Sequence, residues 1–230
     1  HLKFKTIYEQ GIRNFMLKDI KRLKEFVTAQ SQSCMFASEI NAWVFVWYPE
    51  GTRYGHVAMM IGDIHAESAY VSWWPKKSRD GLPGFYKRSP ASRVMIFNPV
   101  THQHEFTSSD YFIDCYSEEN TPHVVYGLRG LDVREMETAW RNIVSKGGAS
   151  FSPLSKNCAV VVSRVLKAGL KHSQLRHKVF GMFDGDQFIW TPKRIAVICN
   201  LLRDNNSALK IKIPGRESKK TFIKTLVRLR

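Results

Sequence analysis

Cys158 has the sequence setting most favourable for chemistry. It stands in SKNCAVVV (residues 155–162), where a Ser/Asn capping stretch precedes an apolar run. This pattern predicts a helix that begins near Asn157, with the cysteine in its first turn. The N–H groups and partial positive charge of a helix N-terminus stabilise a thiolate, the nucleophilic form of cysteine. The alternative interpretation is a small buried apolar side chain on a valine-rich helix.

The other three cysteines lack such a setting. Cys115 follows Asp114 in a stretch (residues 101–121) that reads as polar and irregular, and an acidic neighbour disfavours a thiolate. Cys34 has no basic neighbour, and Cys199 falls on or beside the apolar face of a predicted helix. Since the sequence contains no Cys-x-x-Cys pair, we expect neither a redox motif nor a metal site.

A thiol nucleophile needs a base, and His56 has the best position for one. It follows Gly55 and opens the apolar run VAMMI, which predicts a strand with the imidazole at its end. A histidine at a strand end beside a cysteine at a helix start is the papain-type arrangement. The group that orients the imidazole is assigned to Asp132, which is also a good helix cap and can serve both purposes. His65 and Glu67 are the alternatives for this third position.

Four segments together resemble a known group of enzymes: YGHVAMMIG, YVSWWP, YGLRGLD and SKNCAVVVSRVLKAG. They resemble circularly permuted papain-like enzymes such as lecithin retinol acyltransferase and its relatives, in which the histidine strand precedes the cysteine helix. The resemblance is closer to the Rho-inactivation domain of multifunctional-autoprocessing RTX toxins and to related Shigella and Burkholderia effectors. It covers about residues 54–200.

This resemblance implies a Cys-His-Asp triad of Cys158, His56 and Asp132. It implies a bacterial effector or toxin that forms a thioester on Cys158 and transfers a long-chain fatty acyl group to lysine side chains of GTPase-like proteins. Acyl-CoA is the implied co-substrate, and no bound cofactor is implied. Such a protein would be secreted or translocated and would act inside a target cell, with membrane-associated GTPases as possible partners.

The elements that must position these residues follow from local patterns. Runs of β-branched and aromatic residues predict strands, with the second and third forming a hairpin, over residues 40–48, 55–62, 69–75, 92–99 and 123–130. Apolar spacing, caps and glycine stops predict helices over residues 14–29, 132–146, 157–169 and 191–203. We therefore expect one α+β, circularly permuted papain-like domain with an antiparallel sheet over residues 40–203. A basic helical extension (1–39) and a basic tail (204–230) flank it.

Composition agrees with a folded chain whose charge lies at its ends. The 230 residues are 43% hydrophobic and 12% aromatic, which is typical of globular proteins, and no apolar run is long enough for a transmembrane helix. Of the net charge of +15, residues 1–30 carry +4 and residues 203–230 carry +7. Basic ends suit a phosphate-rich partner such as an anionic membrane, a nucleic acid or a nucleotide-bearing cosubstrate. No signal segment follows His1, so the chain is expected to be a fragment or a processed product.

Two other functions stay open at this point. A cysteine peptidase or amidase of the same fold would hydrolyse a peptide or peptidoglycan amide bond without acyl-CoA. A non-enzymatic membrane or nucleic-acid binding module would use the basic ends and would not need Cys158. No nucleic-acid motif appears in the sequence, so a specific nucleic-acid partner is not expected.

Overall fold

The computed structural model describes most of the predicted catalytic domain. The described residues are 22, 25–30, 32, 34–50, 53–64, 69–74, 89–90, 94–98, 103–107, 111–146, 150–152, 155–184 and 189–216. Residues 25–30 are helical, and the rest of the predicted helix over 14–29 lies almost entirely outside the described residues. The segment over 217–230, and with it most of the basic tail, lies outside them too.

Among the described residues, nine strands form three antiparallel sheets. The central sheet contains β1 (Ile40–Trp47), β2 (His56–Ile61), β3 (Tyr70–Val71), β7 (Val124–Arg129) and β9 (Ala208–Lys212). Their order across the sheet is β3-β2-β1-β7-β9. Two further two-stranded sheets pair β4 (Ser89–Pro90) with β8 (Ser150–Phe151) and β5 (Val94–Asn98) with β6 (Gln103–Thr107).

Besides the helical residues 25–30, the described part of the chain contains five α-helices. They are α1 (Tyr111–Ser117), α2 (Val133–Val144), α3 (Cys158–Gly169), α4 (Arg176–Asp184) and α5 (Pro192–Asp204). The side chains of Asp132, Asn157 and Thr191 each accept a hydrogen bond from a backbone N–H in the first turn of α2, α3 and α5, respectively. The predicted starts of these three helices are confirmed, because side-chain capping of this kind depends on residues close together in the sequence.

The central sheet is buried on both faces because apolar residues occupy both sides of β1. Val44 and Val46 belong to one buried cluster, which includes α3 and α5 residues such as Val161 and Ile198. Phe45 belongs to a second cluster on the other face, which contains Tyr111 and Cys115 of α1. The site described below is therefore formed by helices on both faces of the sheet, α3 on one face and α1 on the other.

Two stretches differ from the sequence-based expectation. Residues 101–121 were predicted to be polar and irregular, which is wrong, because they contain β6 and the buried helix α1. The central sheet also extends beyond residue 203, since β9 pairs with β7 within the segment assigned to a basic tail. A seven-residue helix and an edge strand have weak local signals, and packing against the sheet stabilises both.

The predicted α+β class with a central antiparallel sheet is confirmed. None of the helices among the described residues is both long enough and apolar enough to span a lipid bilayer.

Candidate active site

His56 is held at the first position of β2 by the turn that precedes it. It pairs with Trp47 of β1, and the imidazole is 1% exposed. Gly55 has φ of 79°, and a Cβ atom at this residue would lie 2.6 Å from the Trp47 carbonyl oxygen. Only glycine tolerates both the left-handed backbone and this close approach. The Gly-His pair is therefore a structural unit that fixes where the imidazole lies.

Asp114 of α1, which is 58 residues further along the chain, contacts this imidazole. Its Oδ2 atom lies 3.2 Å from His56 Nε2, and Ser72 Oγ lies 3.0 Å from the same nitrogen. The Asp114 side chain is fully buried. The ring N–H at Nε2 is thus shared between a carboxylate and a hydroxyl, which orients the imidazole and leaves Nδ1 for another partner.

Three alternate residues after β2 donate hydrogen bonds to the Asp114 carboxylate. Tyr70 OH lies 2.7 Å from Oδ2, while Ser72 Oγ and Trp74 Nε1 lie 2.9 and 2.6 Å from Oδ1. Because side chains alternate along an extended chain, residues 70, 72 and 74 reach the same side. Hydrogen bonds to the charged form stabilise it, so these donors keep the buried Asp114 ionised.

Trp74 also packs directly on the imidazole. Its ring centroid lies 4.2 Å from that of His56, with an interplanar angle of 23°. Trp47 contacts His56 at 5.6 Å in a tilted orientation. A protonated imidazole over an aromatic face gains a cation–π attraction, and the stacked indole limits rotation of the ring.

Cys158 is the first residue of α3, as the sequence predicts. The Asn157 side chain caps this helix through a 2.9 Å bond from Val160 N–H and donates to the Trp190 carbonyl oxygen at 2.8 Å. Cys158 is 9% exposed, and its side chain lies close enough to the His56 imidazole to raise the pKa of that ring. The structure therefore brings the predicted nucleophile and the predicted base together.

The electrostatics of the site favour a protonated imidazole. Burial alone would lower the pKa of His56, but the charge of Asp114, the neighbouring Cys158 side chain and the hydrogen bond to Asp114 raise it from 6.5 to about 10. Burial and the Asp114 charge also raise the pKa of Tyr70, so its hydroxyl remains a donor. An imidazolium beside a sulfur at a helix N-terminus is the setting in which cysteine reacts as a thiolate.

Asp132, the carboxylate assigned to the third position, lies elsewhere. Its Oδ1 atom accepts from Glu135 N–H at 3.0 Å at the start of α2, and within the described part of the chain no hydrogen bond or ion pair joins it to His56. Asp114 occupies the place beside the imidazole. The two alternatives, His65 and Glu67, lie outside the described residues.

Sequence reasoning missed Asp114 because the residue was assigned to a polar loop. Two signals pointed to it: an acidic side chain between Ile113 and Cys115, and a serine within the aromatic run YVSWW (residues 70–74). A buried charge and a buried hydroxyl in apolar surroundings each need a partner, and here they are partners of one another.

The remaining cysteines have structural positions. Cys115 and Cys199 are fully buried, and burial raises the pKa of the Cys199 thiol. Cys34 is half-buried. In the part of the chain that the structure describes, no three His, Cys, Asp or Glu side chains are grouped so that they could hold a metal ion.

Comparisons with known proteins point to bacterial effectors and toxins. The family model of the IcsB middle domain matches residues 36–129 and 120–221. A stretch of 68 residues is 34% identical to the multifunctional-autoprocessing repeats-in-toxin of Vibrio cholerae serotype O1 and, equally, to that of Vibrio vulnificus. This stretch is 30% of the present chain and 1% of either toxin, so the chain corresponds to a small part of each. No solved structure matches the chain.

Proposed function

The chain belongs to the IcsB middle domain family, and we propose that this effector- or toxin-type domain is a cysteine acyltransferase. The observation that carries the proposal is the arrangement of three side chains. The Cys158 thiol at a helix start lies beside a buried imidazole whose Nε2 atom is bound by a buried carboxylate. In this proposal Cys158 is the nucleophile, His56 the acid and base, and Asp114 the orienting carboxylate.

The first half-reaction acylates the enzyme. The Cys158 thiolate attacks the carbonyl carbon of a long-chain acyl-CoA, and the C–S bond to coenzyme A breaks as the tetrahedral intermediate collapses. The His56 imidazolium gives its proton to the departing sulfur and becomes neutral. The backbone N–H of Cys158, at the start of α3, is one donor to the transient oxyanion.

The second half-reaction transfers the acyl group to a lysine. A neutral lysine amine attacks the thioester carbonyl, the new C–N bond forms, and the bond to the Cys158 sulfur breaks. His56 takes the extra proton of the amine, which restores the thiolate–imidazolium pair. If water attacks instead, the same site acts as a hydrolase, so the exclusion of water decides between the two outcomes.

The chain order supports a circularly permuted papain-like fold. The strand that begins with His56 precedes the helix that begins with Cys158 by 102 residues, which is the permuted order. A net charge of +15 suits both a phosphate-bearing acyl-CoA and a target protein on an anionic membrane, where each nearby basic residue contributes ~1 kcal/mol of attraction. We therefore propose lysine side chains of membrane-associated GTPases as acceptors, inside a target cell.

The test is incubation with an alkyne-tagged palmitoyl-CoA, followed by click labelling. Wild-type protein should carry a label that hydroxylamine removes, because hydroxylamine cleaves thioesters and not amides. Cys158→Ala should carry none, while Cys199→Ala, a substitution at a buried cysteine away from the site, should label like the wild type. A hydroxylamine-resistant label on an added small GTPase would identify the lysine product. Equal labelling of Cys158→Ala and wild type would refute the proposal, and release of free fatty acid without transfer would instead indicate a hydrolase.

A further inference from the structure

Trp73 has a buried polar group that the fold does not use. Its side chain is 4% exposed, and its indole Nε1 has no hydrogen-bond partner within the described part of the chain. Burying an N–H without a partner is unfavourable, because the group loses its hydrogen bond to water. Such groups are rare in native proteins, and one beside a reaction centre calls for an explanation.

Trp73 lies on the cysteine side of the sheet. Its neighbours Ser72 and Trp74 both bind Asp114, so the alternation of side chains turns Trp73 the other way. There it belongs to the same buried cluster as Cys158. The two indoles of the Trp73–Trp74 pair thus lie on opposite sides of the extended segment, one toward the Asp114 carboxylate and one in the buried cluster that contains Cys158.

Two contacts hold the Trp73 ring, one of them with the segment that precedes α3. The Lys156 ammonium lies 5.0 Å from the ring centroid, and Lys156 precedes Cys158 by two residues. On another side, Trp140 of α2 meets the ring edge-on at 6.2 Å. The indole therefore packs near the segment that presents the thiol, and its buried N–H has no partner among the described residues.

We propose that the Trp73 indole N–H is a catalytic hydrogen-bond donor to the carbonyl oxygen of the acyl group attacked by Cys158. It would complement the backbone N–H of Cys158, so that two donors stabilise the oxyanion. No covalent bond to Trp73 forms or breaks: the N–H donates as negative charge develops on the oxygen and releases it when the carbonyl returns. This inference rests on the proposed acylation of Cys158. It adds a group that recognises the carbonyl oxygen of the substrate at the carbon that Cys158 attacks.

The experiment compares two reactions of the same thiol. Acylation of Cys158 passes through an oxyanion, whereas alkylation by iodoacetamide displaces iodide at a methylene carbon and forms none. Trp73→Phe keeps an aromatic ring and removes the N–H. Single-turnover acylation should fall by about 10²–10³-fold, the usual loss for one oxyanion donor. The rate of alkylation should stay at the wild-type value.

Two acyl donors separate this inference from the proposed function. Acylation is measured with the palmitoyl-CoA analogue and with p-nitrophenyl butyrate, an activated ester. If wild type reacts with the ester alone, the acyl-CoA proposal fails and the role of Trp73 is still decided by the variant. If Trp73→Phe acylates as fast as wild type, or if acylation and alkylation fall together, the inference is wrong. Absence of acylation of wild type by both donors would overturn both proposals.

Matched substitutions control for packing. Trp140→Phe alters the edge-on partner of Trp73 and should leave both rates unchanged. If Trp73→Phe does not fold, benzothienylalanine at position 73 replaces the indole N–H by sulfur with nearly the same shape. Its acylation rate should fall as for phenylalanine, and a wild-type rate for this variant would equally refute the donor role.

Discussion

Asp114 lies within α1 and Asp132 caps the start of α2, and their carboxylates have different kinds of partner. Asp132 accepts a hydrogen bond from Glu135 N–H, three residues further on. Asp114 accepts from Tyr70 and Trp74, which are 44 and 40 residues away, in addition to its contact with His56. One carboxylate caps the start of α2, and the other connects α1 with the segment that follows β2.

This contrast shows that the number of hydrogen-bond donors, and their distance along the chain, decides whether a carboxylate caps a helix or orients a catalytic group. A helix cap is stabilised locally and gains little from tertiary structure. A fully buried carboxylate pays a large desolvation cost, which is offset when several donors converge on it. The donors around Asp114 therefore hold a negative charge beside His56, where a catalytic base needs one. Four experiments test whether Asp114 and Asp132 have these different roles.

The largest effect is expected from Asp114→Asn. The amide cannot accept at both former oxygens and carries no charge, so the imidazole loses its orientation and its proton is held less tightly. We expect the rate of Cys158 acylation to fall on the order of 10³–10⁴-fold, as for orienting carboxylates in other triads. The measurement is single-turnover acylation, with Asp132→Asn as the control that should react at the wild-type rate. A larger loss for Asp132→Asn than for Asp114→Asn would reverse the assignment.

The pH dependence tests the same charge. Since the pKa of His56 is raised to about 10, the imidazolium that protonates the leaving group persists until the pH passes that value. The acylation rate should therefore decline above pH 10 in wild type. In Asp114→Asn the stabilising charge is absent, so the decline should move to lower pH, toward the ordinary histidine range. A decline at the same pH in both proteins would show that Asp114 does not set the protonation of His56.

Gly55→Ala and Gly130→Ala together compare the turn before His56 with the turn before Asp132. Gly55 and Gly130 have φ of 79° and 71°, but a Cβ would clash with the Trp47 carbonyl oxygen only at Gly55. Both substitutions cost about 1–2 kcal/mol in backbone strain. The clash should also displace His56, and acylation by Gly55→Ala should fall about 10²-fold. Urea unfolding and acylation rates of both variants provide the check, and Gly130→Ala should keep its activity.

The smallest effect on chemistry is expected from Asp132→Ala. Loss of the cap of α2 should lower the free energy of unfolding by ~1 kcal/mol. The acylation rate should not change, because the described contacts of this side chain lie at the helix start. Urea denaturation measures the first quantity and single-turnover acylation the second. Unchanged stability together with a strongly reduced rate would contradict the capping role.

The parts of the fold that could be predicted are those with local causes. The strands β1, β2 and β7 follow from runs of β-branched and aromatic residues, and the starts of α2, α3 and α5 follow from side-chain caps. The helix α1 could not be predicted this way, because its stability comes from contacts with the sheet. Tyr111 packs on Phe45 with ring centroids 4.7 Å apart, and no pattern within seven residues encodes that contact.

The candidate site divides in the same way. The sequence by itself determined that Cys158 begins a helix and that His56 begins a strand, since a cap and a glycine turn act over a few residues. Only the tertiary structure decided which carboxylate meets the imidazole. Asp114 and His56 are 58 residues apart, and their contact depends on the packing of α1 against the sheet and on donors from residues 70–74. A buried charge is stable only where such long-range donors converge, and their convergence is a property of the folded chain.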